Sequence, residues 1–155
     1  MKDKIKDAYE SSKTIYDDVL TQGNVFSKLY IRLFWSGTDD NVIAQKVLSY
    51  IPDDFSGSLL DVPVGTAVFA KNKWISLKNA HITCLDYSRD MLEQAKTRLS
   101  GHTHIQCIQG DVGNLPMKDE IFDIVLSMNG FHAFPDKIKA FQETYRVLKP
   151  GGDFI

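Results

Sequence analysis

Leu59-Leu60-Asp61-Val62-Pro63-Val64-Gly65-Thr66-Ala67 holds the most informative turn in the chain. Gly57-Ser58-Leu59-Leu60-Asp61-Val62 is a short apolar run of strand length. It meets a turn carrying Pro63 and Gly65, and Ala67–Leu77 is predicted to be helical. A strand that runs through a glycine turn into a helix start lets backbone approach a ligand closely. Gly65 permits the approach because it has no side chain. Taken alone, the turn is a weak signal, and the rest of the chain has to support it.

Downstream the pattern alternates. His81-Ile82-Thr83-Cys84-Leu85-Asp86 is predicted as a second strand. Ser88 is placed as an N-cap, with Met91, Leu92, Ala95 and Leu99 at helical spacing and Gly101 as the stop. Ile105–Gln109 and Phe122–Ser127 are the third and fourth strands. Pro135 suits the first turn of a helix with Ile138, Phe141, Tyr145 and Leu148 on one face. Lys149-Pro150-Gly151-Gly152 is expected to end that helix, and Asp153-Phe154-Ile155 to start a fifth strand. Strands alternating with helices imply crossover units, hence an α/β fold: an open parallel sheet, Rossmann-like, with helices on both faces. Such sheets bind ligands at the carboxyl ends of their strands, where the strand order reverses.

Upstream, residues 1–52 are expected to form a helical extension or lid and residues 53–155 the sheet domain. Three apolar stripes mark the extension: Ile5 to Leu20, Phe26 to Phe34, and a last one of Val42, Ile43, Val47, Leu48 and Ile51. Its aromatic residues are mostly expected to pack on the sheet layer. Tyr16, Tyr30 and Trp35 are candidates for a lid over a ligand.

The 155-residue length fits one domain. No apolar run is long enough to span a membrane, and Met1–Asp7 lacks the apolar core of a secretory signal. A net charge of −2 gives no electrostatic footprint for nucleic acid. Cys84 and Cys107 are too few for a disulfide framework and are expected to be buried thiols in a reducing, cytoplasmic compartment. His102 and His104 are expected in a solvated loop, and no set of residues has metal-ligand spacing.

Asp86 ends the second strand, 21 residues after Gly65, where an acid meets a ribose in dinucleotide-type sites. A carboxylate accepts from both vicinal hydroxyls. The plainer role for Asp86 is a charge at the helix start near Ser88. Gly110-Asp111-Val112 ends the third strand: Asp111 can accept from an exocyclic amine and the Val112 backbone can meet an adenine edge, or the segment is a plain turn. Ser127-Met128-Asn129-Gly130-Phe131-His132 crowds the predicted binding edge after the fourth strand.

The segments LLDVPVGTAVFA, CLDYSRDMLEQAKTRL and IQCIQGDVGNLPMKDEIFDIVLSMNGFHAFPDKIKAFQETYRVLKPGG make the chain resemble a class I S-adenosylmethionine-dependent methyltransferase of the small-molecule type (type 11/25-like). The resemblance covers about residues 55 to 155 and is strongest in RVLKPGG. It implies that Asp61, Gly65 and Thr66 surround the methionine moiety and that Asp86 holds the ribose, flanked by Tyr87 and Met91. It places Asp111 and Val112 at the adenine, and Ser127 and Met128 near the sulfonium. The implied reaction is in-line methyl transfer to a small-molecule acceptor, leaving S-adenosylhomocysteine. His132 is the candidate base, and Phe131 joins the substrate side.

Two departures stand out. Pro63 and Ala67 occupy the first and third positions of a turn that usually has three glycines. The family fold normally has seven strands, so the sheet is expected to be incomplete, lacking its C-terminal part, and either to associate into a homo-oligomer through the exposed edge or to be poorly stable. Two rival readings share the pattern: a non-catalytic S-adenosylmethionine-binding or interaction module, and an NAD-dependent oxidoreductase, which Pro63 disfavours by breaking Gly-x-Gly-x-x-Gly.

Overall fold

The computed structural model describes residues 40–155. Val47–Ile155 forms one compact unit, and residues 40–46 belong to another. The helices are α1 (Asp40–Leu48), α2 (Lys71–Ser76), α3 (Arg89–Arg98) and α4 (Lys137–Val147). The strands are β1 (Ser58–Asp61), β2 (His81–Asp86), β3 (Ile105–Gln109), β4 (Phe122–Leu126) and β5 (Leu148–Phe154). Tyr16, Tyr30 and Trp35 lie outside the described residues.

The five strands form one sheet in the order β3-β2-β1-β4-β5, every neighbouring pair parallel. β1 is central, with Leu59 paired to Ile82 and Ile124, and Asp61 to Cys84 and Leu126. Strand alternation then sorts the side chains into two layers. Leu59, Ile82, Cys84, Ile124 and Leu126 pack with Trp74 of α2, with Leu92 and Ala95 of α3 and with Leu99, its C-cap. Leu60, Leu85 and Val125 pack with Ala140 and Val147 of α4. Helices thus cover both faces. Each leucine buried in these layers contributes roughly 1.5–3 kcal/mol relative to exposure. The β3–β4 connection has no helix. Gly110, Gly113 and Pro116 punctuate it, and Val112 and Leu115 fill the second layer instead. The strand order reverses between β1 and β4, the position at which open sheets of this kind generally bind ligands, so the residues after Asp61 and Leu126 form the candidate crevice.

Four expectations about elements need correction. α2 starts at Lys71, not Ala67. Ala67 has φ 59 and Gly65 φ 57, so the chain cannot turn helical until it has left that bend. α4 buries Ala140, Thr144 and Val147, while Ile138, Phe141 and Tyr145 stay 74%, 54% and 72% exposed. The small Ala140 lets the helix approach the sheet, and the Thr144 hydroxyl is satisfied by donating to the Ala140 carbonyl at 3.0 Å. Pro135 stands just before the helix; its N-cap is Asp136, which accepts from the Lys139 amide at 2.9 Å. Finally, Lys149-Pro150-Gly151-Gly152 lies inside β5. The register there jumps from Phe122↔Leu148 to Ile124↔Asp153, so the extra residues bulge, as proline and glycine do on an outer strand. In the last stripe of the N-terminal extension, Leu48 and Ile51 are buried, and Val42 and Ile43 are exposed.

Candidate functional site

The site grows from the ends of β1 and β2. Asp61 closes β1 with its side chain inward, where its Oδ2 accepts from the Trp74 indole at 2.9 Å. Burial pushes its carboxyl pKa up to about 7, with the indole hydrogen bond working against that rise and the neighbouring Asp86 adding to it. The turn that follows is stitched to β2. The Val64 amide donates to the Leu85 carbonyl at 2.9 Å. The Gly65 amide donates to Asp86 Oδ2 at 2.8 Å, and the Ser88 amide to Asp86 Oδ1 at 2.8 Å. Asp86 is only 7% exposed, and burial raises its pKa while the Ser88, Gly65 and Tyr87 amides oppose the rise. Each of its oxygens keeps capacity for a further donor, since an ionised carboxyl offers about four acceptor positions.

Gly65 turns with φ 57, and a Cβ built there would meet nothing within 4 Å. The bend therefore presents bare backbone to open space. Arg98, at the end of α3, fixes the next residue by donating to the Thr66 carbonyl at 2.8 Å. Thr66 itself is buried. Ser88 Oγ caps α3 by accepting from the Met91 amide at 3.4 Å, and Met91 is buried beneath it. Tyr87 is exposed, with its carbonyl held by Gln109 at 3.1 Å.

At the end of β4, the Ser127 amide donates to the Ile155 carbonyl at 2.8 Å. Among the described residues its buried Oγ has no hydrogen-bond partner, a costly condition for a polar atom. Met128 packs against the first core layer. Gly130 lies against Pro63: a Cβ there would overlap the proline Cδ. The β1 turn and the β4 loop are thus interlocked. His132 is exposed on a short 3-10 turn, Phe131–Ala133.

The structure gathers Asp61, Gly65, Thr66 and Asp86 around one turn, and Gly130 ties the β4 loop that carries Ser127 and Met128 to that turn. The β3 end lies beside the same acid, with the Gly110 amide donating to the Asp86 carbonyl at 3.0 Å. Asp111 is exposed and closes its own turn, with Oδ1 accepting from Gly113 at 2.8 Å, and the Val112 side chain is in the second core layer. Phe131 packs edge-on against Phe134, Phe141 and Phe154, with centroids 5.1, 6.4 and 5.8 Å away. His104 is partly buried rather than solvated, with Nε2 3.0 Å from the Trp74 carbonyl.

Three participants escaped sequence reading: Trp74, Arg98 and the Pro63–Gly130 contact. A single tryptophan in the helix after a strand-end acid was the available signal for the first; nothing local marked the others.

Two neighbouring buried carboxyls, an open glycine bend and an orphaned hydroxyl make a site suited to a ligand with hydroxyl donors and a positive charge. Among the described residues no group of three His, Cys, Asp or Glu side chains could hold a metal.

Comparison with known proteins agrees. The methyltransferase domain family matches residues 60–155. A demethylmenaquinone methyltransferase of Staphylococcus epidermidis is 41% identical over 95 residues, covering 60% of this chain and 39% of the relative. That of Staphylococcus carnosus is 29% identical over 153 residues, covering 97% of this chain and 58% of the relative. The chain therefore matches less than two thirds of the length of these relatives. Among solved structures, a SAM-dependent methyltransferase from Thermotoga maritima superposes with TM-score 0.61 at 27% identity, over 83% of this chain and 56% of that one. The cyclase SpnF superposes with TM-score 0.66 at 27% identity, over 74% of this chain and 43% of that one. With turn, strand-end acids and the long C-terminal segment all inside the match, this chain belongs to the methyltransferase domain family.

Proposed function

We propose that the chain binds S-adenosylmethionine at the β1–β2 turn and takes part in methyl transfer to a small-molecule acceptor. The observation that carries this reading is the Gly65–Asp86 bridge, which holds a buried acid beside bare backbone at the sheet's crevice. When bound, S-adenosylmethionine supplies a methyl group on a positively charged sulfur, open to displacement by a nucleophile. Asp86 accepts from the vicinal ribose hydroxyls with its free lone pairs. Gly65 lets the turn backbone lie against the ligand, and Asp61 places a negative charge nearby when ionised. The Ser127 hydroxyl, without a partner among the described residues, offers a hydrogen bond at the neighbouring strand end. Holding donor and acceptor in line contributes up to roughly 7–11 kcal/mol of barrier lowering. His132, exposed at the rim, accepts the acceptor's proton where the nucleophile needs to lose one.

The likeness to demethylmenaquinone methyltransferases puts a quinol of that kind first in an acceptor panel. Calorimetry with S-adenosylhomocysteine and with NADH tests the cofactor. Heat from the first alone supports the proposal; no binding of the first overturns it. For His132→Ala, turnover is expected to fall more than cofactor affinity, and unchanged turnover would exclude the base.

The same reading includes association through β5, an edge of the described sheet that lies beside the exposed Phe141 and Phe154. Light scattering that shows only a monomer would remove it. No helix among the described residues is long and apolar enough to cross a membrane. The free thiols of Cys84 and Cys107 support a cytoplasmic location.

A further inference from the structure

We infer that Cys84 and Cys107 form a reversible dithiol–disulfide site whose reagents are peroxides and oxidised small thiols. Strand register sets the site. Cys84 of β2 and Cys107 of β3 are directly paired residues of neighbouring parallel strands. They point to the same face, and both belong to the core layer beneath α3. Neighbouring strands lie about 4.8 Å apart, within the Cα separation of about 4.4–6.8 Å that a disulfide spans. Both are free thiols, one buried and one partly exposed, and they are the only two cysteines in the chain. β3 is an edge strand of the described sheet, so it can move toward β2 without breaking a second ladder.

The order of attack follows from the same placement. The neighbouring Cys84 thiol holds the Cys107 thiol below its usual range, with Lys96 helping and partial burial and Glu93 opposing. Pairing with Cys107 and then burial push the Cys84 thiol up. Cys107 is both the more exposed and the more readily ionised sulfur, so it reacts first. Its thiolate takes one oxygen from hydrogen peroxide, the O–O bond breaks, and the hydroxide released picks up a proton to become water. The Cys84 sulfur then attacks the Cys107 sulfur, the S–O bond breaks, and the oxygen leaves as a second water with the Cys84 proton. Two electrons pass from the sulfurs to the peroxide, and a thiol reductant returns them. The crosslink would lie two residues before Asp86 and Gln109, themselves a register pair, so the strand ends beside the candidate cofactor acid move with it.

The experiment treats the folded chain with hydrogen peroxide, quenches, alkylates with iodoacetamide in denaturant and reads intact mass and peptides. Expected are the loss of two hydrogens, no alkylation, and a peptide pair joined through residues 84 and 107 that dithiothreitol releases. Cys107→Ala should abolish the crosslink, whereas Cys84→Ala should leave a Cys107 sulfenic acid that dimedone captures. Two alkylated thiols after treatment of the wild-type chain, or a crosslink only between molecules, would overturn the site. These readouts need no cofactor.

Discussion

The Trp74 indole donates to the Asp61 carboxyl at 2.9 Å, and neither residue is exposed. A helix side chain is thereby locked to the last residue of the central strand, directly before the turn that carries Gly65. Burial dominates the result: Asp61 has a pKa of about 7 against an ordinary 3.8.

This makes stability depend on pH. A carboxyl with a higher pKa folded than unfolded binds more protons in the folded state. The stability it confers is fully present below 3.8 and is lost as pH rises through about 7. Asp86 is shifted in the same direction and adds a smaller slope of the same sign. Urea midpoints should therefore be higher at about pH 5 than at about pH 8, and Asp61→Asn should flatten most of the difference. Identical slopes for the two proteins would show that Asp61 ionises as an exposed acid does.

Trp74→Phe removes the indole donor and leaves a buried carboxyl with one partner fewer. The expected loss is roughly 1–3 kcal/mol in urea unfolding, with the Asp61 titration moving further up. A variant as stable as the wild type would mean that the hydrogen bond adds nothing beyond ring packing.

Asp86→Asn leaves one oxygen to accept from the amides that hold the carboxyl. It removes the charge that strengthens bonds to a ribose. The expected cost is roughly 1.5–3 kcal/mol of binding, or about 10- to 100-fold in S-adenosylhomocysteine affinity by calorimetry. Unchanged affinity would remove Asp86 from the cofactor site.

Gly130→Ala places a methyl group into Pro63. Overpacking of this kind costs roughly 1–3 kcal/mol, and here it also pushes the β4 loop off the β1 turn. Melting temperature and S-adenosylhomocysteine affinity should fall together. A fall in melting temperature alone would show that the interlock supports folding without shaping the site.

Arg146 of α4 holds the helix-free β3–β4 connection. It donates to the Leu115 and Met117 carbonyls at 3.1 and 2.9 Å and pairs with Glu143 and Asp119 at 2.7 and 2.6 Å. Lysine cannot span these partners with a single ammonium. Arg146→Lys should destabilise by about 1–2 kcal/mol in urea. It should also raise hydrogen exchange at the Leu115 amide, which bonds to Glu143 at 2.8 Å.

Much of this was legible in the residues. Alternation of short apolar runs with helical spacing identified the parallel sheet, and Ser88 was readable as a cap because its chemistry is local. The 21-residue interval from Gly65 marked Asp86 as the acid at the end of the second strand, but not that the Gly65 amide bonds to it. The last helix shows where such reading stops. Ile138, Phe141 and Tyr145 share a stripe, yet the sheet meets the opposite side through Ala140, Thr144 and Val147. Periodicity records which residues share a face; it does not record which face another element approaches.

Propensity and short spacings were enough for the order of elements, for the glycine bend and for the strand-end acid, each as a separate feature. Only the tertiary structure decided that Trp74 caps Asp61, that Cys84 lies beside Cys107, that Pro63 rests on Gly130 and that Lys149–Gly152 bulge within a strand. Those contacts join segments whose separation along the chain carries no local signal. Their geometry follows from strand register and from the close packing of two layers on one sheet.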